Sequence, residues 1–161
     1  MQLFQIRPIN KEDNKWIINL LAEWWAGPKI VTRGKVHEID KLPGFIAIYD
    51  AECAGLITYN IDGKECEITS MNSLVEGKGV GSALVDAVKK AAVEKGCKRL
   101  WLITTNDNTR ALRFWQRRRF RLAAIHINAI EESRRLKPEI PLYGENGIPI
   151  RDEIELEMML A

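Results

Sequence analysis

The run Glu76-Gly77-Lys78-Gly79-Val80-Gly81-Ser82 is where residue types and spacing most directly imply chemistry. Glycines at alternate positions let a backbone approach oxygen atoms with no Cβ in the way and take positive φ where needed. The residues that follow, Ala83, Leu84, Ala87, Val88 and Ala91, fall at the three-and-four spacing of one helix face, so the loop opens a helix. Backbone amides and the positive helix end then converge on one point, which suits an anion such as a phosphate. A tight strand-to-helix turn with no ligand is the competing reading. Two phosphate-binding patterns fail here. A nucleoside-triphosphate loop ends in Gly-Lys-Ser/Thr, and Gly81-Ser82-Ala83 lacks the lysine. A dinucleotide fingerprint needs a third glycine where Ser82 or Leu84 stands, and an acid at the end of the next strand, where Thr104, Thr105 and Asn106 stand instead.

The remaining reactive side chains are less organised. Cys53, Cys66 and Cys97 have no paired spacing, which favours free thiols in a reducing compartment over a disulfide framework or a zinc site. His37 and His126 each stand alone, so neither is assigned to catalysis and no metal site is expected. A net charge of +2 is too small to imply a nucleic-acid partner. The first eight residues carry neither a basic leader nor a long apolar run, so no export signal or membrane span is expected and the cytoplasm is the default location.

The elements that must position the loop can be read from periodicity. The length of 161 residues, 46% hydrophobic and 29% charged, fits one soluble domain over residues 1–161. Residues 3–7 alternate as an opening strand, and Asn10 N-caps a helix in which Trp16, Ile17, Leu20, Leu21 and Trp24 recur at helical spacing. The stretch 26–44 mixes glycine and proline with short apolar pieces and is expected to be irregular, with one short helix. Strands over 45–49, 54–61 and 65–72 follow as an antiparallel meander, with turns at 50–52 and 62–63. The helix after Gly81 stops at Gly96, and a strand over 99–105 completes a right-handed parallel crossover. A helix over 109–118, a strand over 121–127, an ordered loop or lid over 138–149 and a last strand over 154–160 close the chain. The expected fold class is α/β (α+β), a mixed, mostly antiparallel central sheet flanked by helices.

With these elements in place, the sequence resembles the GNAT superfamily of N-acetyltransferases from about residue 3 to 124. The family's loop pattern of Gln or Arg, two residues, Gly, one residue, then Gly or Ala falls on Glu76, Gly79 and Gly81. Downstream, Asn108, Ala111, Phe114, Trp115 and Phe120 resemble its second motif. The resemblance implies that acetyl-CoA, as co-substrate, lies where strands 65–72 and 99–105 splay apart. Met71 and Asn72 would pair with the pantetheine arm, Glu76 through Ser82, including Lys78 and Val80, would hold the diphosphate, and Asn108 and Ala111 would line the cofactor arm. Three departures stand out. Glu76 places a carboxylate near phosphates. Trp115 stands at the family's frequent tyrosine and, having only an indole N–H, cannot act as a true general acid. Arg119 replaces the glycine before Phe120, which implies a different helix exit.

The implied reaction is transfer of an acetyl group to a primary amine by direct attack, which requires a proton acceptor. Glu67 is the candidate base, since burial between Cys66 and Ile68 on a central strand would raise its pKa; a solvated position on the polar face is the alternative. Arg113, Arg117, Arg118, Arg119 and Arg121 form a basic cluster facing RNA, the coenzyme's ribose phosphate or solvent, with solvent the default. The paired Trp24 and Trp25 either line an acceptor pocket or pack into the core, with core packing of at least one the default. The expected partners are acetyl-CoA and an amine acceptor, with a homodimer allowed, and neither a membrane nor a nucleic acid. A catalytically weak acyl-CoA-binding sensor is the alternative function.

Overall fold

The computed structural model describes residues 4–161, so the expected first strand residue, Leu3, lies outside the described part. The elements, in chain order, are β1 (Phe4–Pro8), α1 (Asn14–Trp25), β2 (Lys29–Thr32), β3 (Lys35–Glu38), β4 (Gly44–Tyr49), β5 (Glu52–Asp62) and β6 (Glu65–Ser73). They continue with α2 (Val80–Glu94), β7 (Arg99–Thr105), α3 (Thr109–Arg117), β8 (Arg121–His126), α4 (Ala129–Leu136) and β9 (Glu153–Met159). Seven strands form one sheet in the order β1-β4-β5-β6-β7-β9-β8, while β2 and β3 form a separate hairpin. Every pairing in the large sheet is antiparallel except β6 with β7. The parallel pair is the one bridged by the glycine loop and α2, as a short loop–helix crossover demands.

Alternating apolar residues of the strands supply both cores. On one face Cys66, Ile68, Leu100, Leu102 and Leu156 pack with Leu84, Val85 and Val88 of α2 and with Trp115 and Phe120. On the other, Ile46 and Leu56 meet Ile17, Leu20 and Leu21 of α1, with Ile30 and Ile39 added from the hairpin region. Each such large side chain contributes about 1.5–3 kcal/mol of burial. Asn10 caps as expected: its side chain accepts from the Glu12 N–H at 2.9 Å, and the Asp13 carboxylate accepts from the Asn10 N–H at 2.8 Å. The first turn, Lys11–Asp13, is a 3-10 turn, and the α-helix proper begins one residue later.

Three expectations need correction. The stretch 26–44 is not irregular. It forms the β2–β3 hairpin and a 3-10 turn at Ile39–Lys41, because Arg33 (φ 49°) and Gly34 (φ 72°) make a tight left-handed turn between runs rich in β-branched residues. Helix α4 lies where no element was foreseen. Its N-cap, Asn128, makes no side-chain capping bond, and its only buried residues are Ile130 and Ser133, so little marks it in the sequence. Finally, Arg119 does not change the exit of α3: it sits at φ 70°, the left-handed conformation a glycine would supply.

The loop over 138–149 is ordered, as expected. Gly144 N–H donates to the Ile148 carbonyl at 2.9 Å and Ile150 N–H to the Leu142 carbonyl at 2.9 Å, while Asn106 Nδ2 donates to the Pro149 carbonyl at 2.9 Å. Among the described residues, no helix is long and apolar enough to cross a membrane.

Candidate acetyl-transfer site

Strands β6 and β7 are paired only from Glu65 opposite Arg99 to Ile68 opposite Leu102. Beyond that point both continue, to Ser73 and Thr105, without pairing to each other. The cause lies on the far side of β6. Its register against β5 slips between Thr58–Ser70 and Tyr59–Ile68, so Thr69 is an extra residue that bends the strand. Thr58 Oγ1 fixes the bulge through contacts of 2.8 Å to Thr69 Oγ1 and 2.6 Å to Ser70 Oγ.

The parted strands open into a cleft of about 820 Å³. Met71 lines it from β6 and Ile103 and Thr104 from β7, with Glu76, Gly77, Gly79, Val80, Gly81 and Ser82 at one end and Asn108, Ala111 and Trp115 on the α3 side. The structure thus brings most of the sequence-derived candidates to one surface. Three stand apart. Lys78 is exposed outside the cleft lining, Asn72 is buried with its Oδ1 accepting from Trp25 Nε1 at 3.0 Å, and Glu67 lies beneath the β2–β3 hairpin.

Local geometry explains the loop. Gly77 (φ 72°) and Gly79 (φ 79°) hold left-handed conformations with open space where a Cβ would stand, and Gly79 is the N-cap of α2. The first N–H groups of α2 have no partner within the helix. Gly81 serves packing instead: a Cβ there would lie 2.9 Å from the Phe114 ring, so its absence lets α2 and α3 approach. Glu76 pairs with Arg110 at 2.8 Å, both exposed, so this carboxylate already has a cation. Asn108 caps α3 by accepting from the Ala111 N–H at 3.1 Å, in addition to lining the cleft. Trp115 is buried edge-on between Phe114 and Phe120, with ring centroids 4.9 and 5.1 Å away.

The basic cluster divides. Arg113, Arg117 and Arg118 line the cleft together with Arg110, whereas Arg121 faces Glu157 at 3.6 Å. Arg118 lies 3.5 Å over the Phe114 ring and donates to Ser82 Oγ at 2.9 Å, which fixes one cation beside the start of α2. At the other end Trp24 is 56% exposed and lines the cleft with Trp25. Lys137 donates its Nζ to the carbonyls of Trp25 and Lys29, anchoring the turn between α1 and β2.

Glu67 is 6% exposed, which removes the solvated reading. Its Oε2 accepts from the Thr32 hydroxyl at 2.7 Å, and that hydroxyl lies 2.8 Å from His37 Nε2. Burial pushes the Glu67 carboxyl up to about 7, against the pull of Thr32 and Lys35 and helped by Glu153 and Glu155. Burial, assisted by Lys35, holds the His37 imidazole below its ordinary value. Glu153, 1% exposed, is raised by burial although both its oxygens accept from the Arg33 N–H at 3.2 Å. Thr32, His37 and Glu153 escaped the sequence reading. Thr32 and His37 meet Glu67 across 35 and 30 positions, and the Glu153 charge acts on it through space from 86 positions away, so no local pattern joins them.

The sequence pattern of the Acetyltransferase (GNAT) family matches residues 12–120. The chain is 45% identical over 150 residues to YdhI of Bacillus subtilis (strain 168), an uncharacterized protein, covering 92% of this chain and 94% of that one. A GNAT family acetyltransferase from Elizabethkingia anophelis, crystallised with acetyl-CoA bound, has a similar fold at a TM-score of 0.73 and 22% identity, covering 99% of this chain and 100% of that chain. A Bacillus subtilis acetyltransferase in complex with CoA superposes at a TM-score of 0.67 and 18% identity, with 98% of each chain covered. A parted β6–β7 pair above a glycine loop, on a mixed sheet flanked by helices, defines an acetyltransferase scaffold. The chain belongs to the Acetyltransferase (GNAT) family.

Proposed function

We propose that this chain, acting as one domain over residues 1–161, binds acetyl-CoA and transfers its acetyl group to a primary amine by direct attack. The observation that carries the reading is the continuity of the cleft, which runs from Gly77, Gly79 and Gly81 to the unpaired parts of β6 and β7. The bound acetyl-CoA and CoA of the two solved relatives support it. The diphosphate rests on the amides from Gly77 to Ser82, where a bare backbone and the start of α2 favour negative oxygens. Arg110, Arg113 and Arg117 at the cleft face the ribose phosphate. The free edge of β6 around Met71 and Asn72 pairs with the pantetheine arm in strand-addition fashion, and a backbone N–H there polarises the thioester carbonyl.

Glu67 takes the proton of the attacking nitrogen. Because it lies under the hairpin and outside the cleft lining, the proton reaches it through water. Its pKa of about 7 suits a base near neutral pH. Trp115 shapes the cleft without donating a proton, and the thiolate leaves unaided or with solvent. Trp24 and Trp25 form the acceptor end, and three free thiols fit a cytoplasmic setting.

A thiol-release assay with acetyl-CoA and a panel of small amines, peptides and proteins tests the reading. Amine-dependent release matched by acetylated acceptor is expected. Cofactor binding with no release across the panel would instead favour an acyl-CoA sensor, a reading to which the lack of an acid at Trp115 points.

A further inference from the structure

The β2–β3 hairpin buries two polar side chains, Thr32 and His37, at positions where apolar residues would cost nothing in desolvation. Both are directed at one carboxyl group. The Thr32 hydroxyl lies 2.7 Å from Glu67 Oε2 and 2.8 Å from His37 Nε2, and His37 Nε2 is 3.5 Å from Glu67 Oε1. The hairpin is itself held at both ends: Lys137 Nζ binds the Lys29 carbonyl at 2.5 Å, Ile39 N–H donates to the Pro28 carbonyl at 2.9 Å, and Arg33 N–H at the tip donates to Glu153. A fixed scaffold therefore aims a hydrogen-bonded pair at Glu67.

Resting on the reading of Glu67 as the base, we propose that Thr32 and His37 are positioning residues that hold the Glu67 carboxyl in one orientation and set the pH at which it accepts a proton. In the ionised state His37 Nε2–H donates to Thr32 Oγ1, and the Thr32 hydroxyl donates to Glu67 Oε2. When the amine attacks, its N–H bond breaks, a proton passes through water, and an O–H bond forms at Oε1, the oxygen Thr32 does not hold. Oε2 keeps its partner in both states. A hydroxyl donates more strongly to a carboxylate than to a carboxylic acid, so Thr32 opposes the effect of burial and keeps the base usable near neutral pH. His37, buried and beside Lys35, stays neutral and acts as a fixed partner rather than a second proton store.

The charged groups around this carboxyl are Lys35 on β3, and Glu153 and Glu155 on β9. Arg33 faces Glu153 at 3.5 Å, while Glu155 is engaged by Arg99 and by His126 at 3.0 Å. None of them touches Oε2 in place of Thr32. That makes Thr32→Val, close in shape and lacking the hydroxyl, the informative substitution, with Thr32→Ser as the rescue.

The test follows the Glu67 carboxyl by ¹³C NMR across pH, assigned with Glu67→Gln, alongside the pH profile of kcat/KM. Thr32→Val is expected to move both the Glu67 titration and the acid limb upward by about one pH unit, and to lower the high-pH plateau as the carboxyl loses its fixed orientation. Thr32→Ser returns both to the parental positions, and His37→Gln moves them the same way by less. A purely structural role would lower the melting temperature and leave both titrations in place. Parental titrations in Thr32→Val beside an impaired Glu67→Gln would overturn the positioning role alone. A Glu67→Gln variant matching the parent in rate and pH profile would remove the base reading, and the positioning role with it.

Discussion

Glu67 holds an ionisable group where folding disfavours its charge, and that makes its protonation a matter of stability, whatever its part in the proposed reaction. Its folded pKa of about 7 lies above the 4.5 of an unperturbed glutamate, so between those values the folded chain binds more protons than the unfolded chain. Stability must then fall as pH rises through that window and level off above it. Gln mimics the protonated form and lacks the loss. We expect Glu67→Gln to match the parent near pH 4 and to exceed it by about 3 kcal/mol at pH 8, measured by urea unfolding at both pH values. Equal stability at pH 8 would mean that the carboxyl is ionised at little cost, contrary to its burial. The identity of Glu67 as a candidate was legible because it alternates with Cys66 and Ile68. Its partners were not, since Thr32 and His37 reach it only through tertiary structure.

At the scale of elements, the site depends on how β6, β7 and β9 are tied together below the point of divergence. Arg99, near the start of β7, donates to Glu65 of β6 at 2.8 Å and to Glu157 of β9 at 2.7 Å, and also to Glu155. One guanidinium thus neutralises carboxylates from both neighbouring strands. Arg99→Met would leave Glu65, Glu155 and Glu157 facing one another and should lower stability by about 2 kcal/mol, seen as a reduced urea midpoint that recovers in part at acidic pH. An unchanged midpoint would show that solvent screens the cluster.

The same scale shows which elements a sequence can announce. Helix α2 has a long apolar stripe between glycines, and β4 to β6 are separated by tight turns, so their outlines were readable. The β2–β3 hairpin has two strands of four residues each, set among glycines and prolines that read as loop. Helix α4, AIEESRRL, is polar on most of its surface and ends just before Lys137-Pro138, so it offers almost no stripe. The splay itself was implied by resemblance alone. Its physical cause, the extra residue Thr69, requires knowledge of the register with β5.

For the molecule as a whole, the sheet and its two helix-covered faces serve to keep one seam open while everything around it is closed. The glycine-loop amides, the free edge of β6 and the arginines of α3 come from three separate elements, and only the crossover through α2 brings them to one cleft. Where the coenzyme sits on this seam is read by ¹⁵N amide NMR during titration with CoA, using Gly79→Glu as the control. Large shifts are expected at Gly77, Gly79, Gly81, Met71 and Asn72, and their loss in Gly79→Glu, where a side chain and a negative charge would occupy the proposed diphosphate position. Saturable binding whose shifts fall elsewhere, or that persists undiminished in Gly79→Glu, would contradict it.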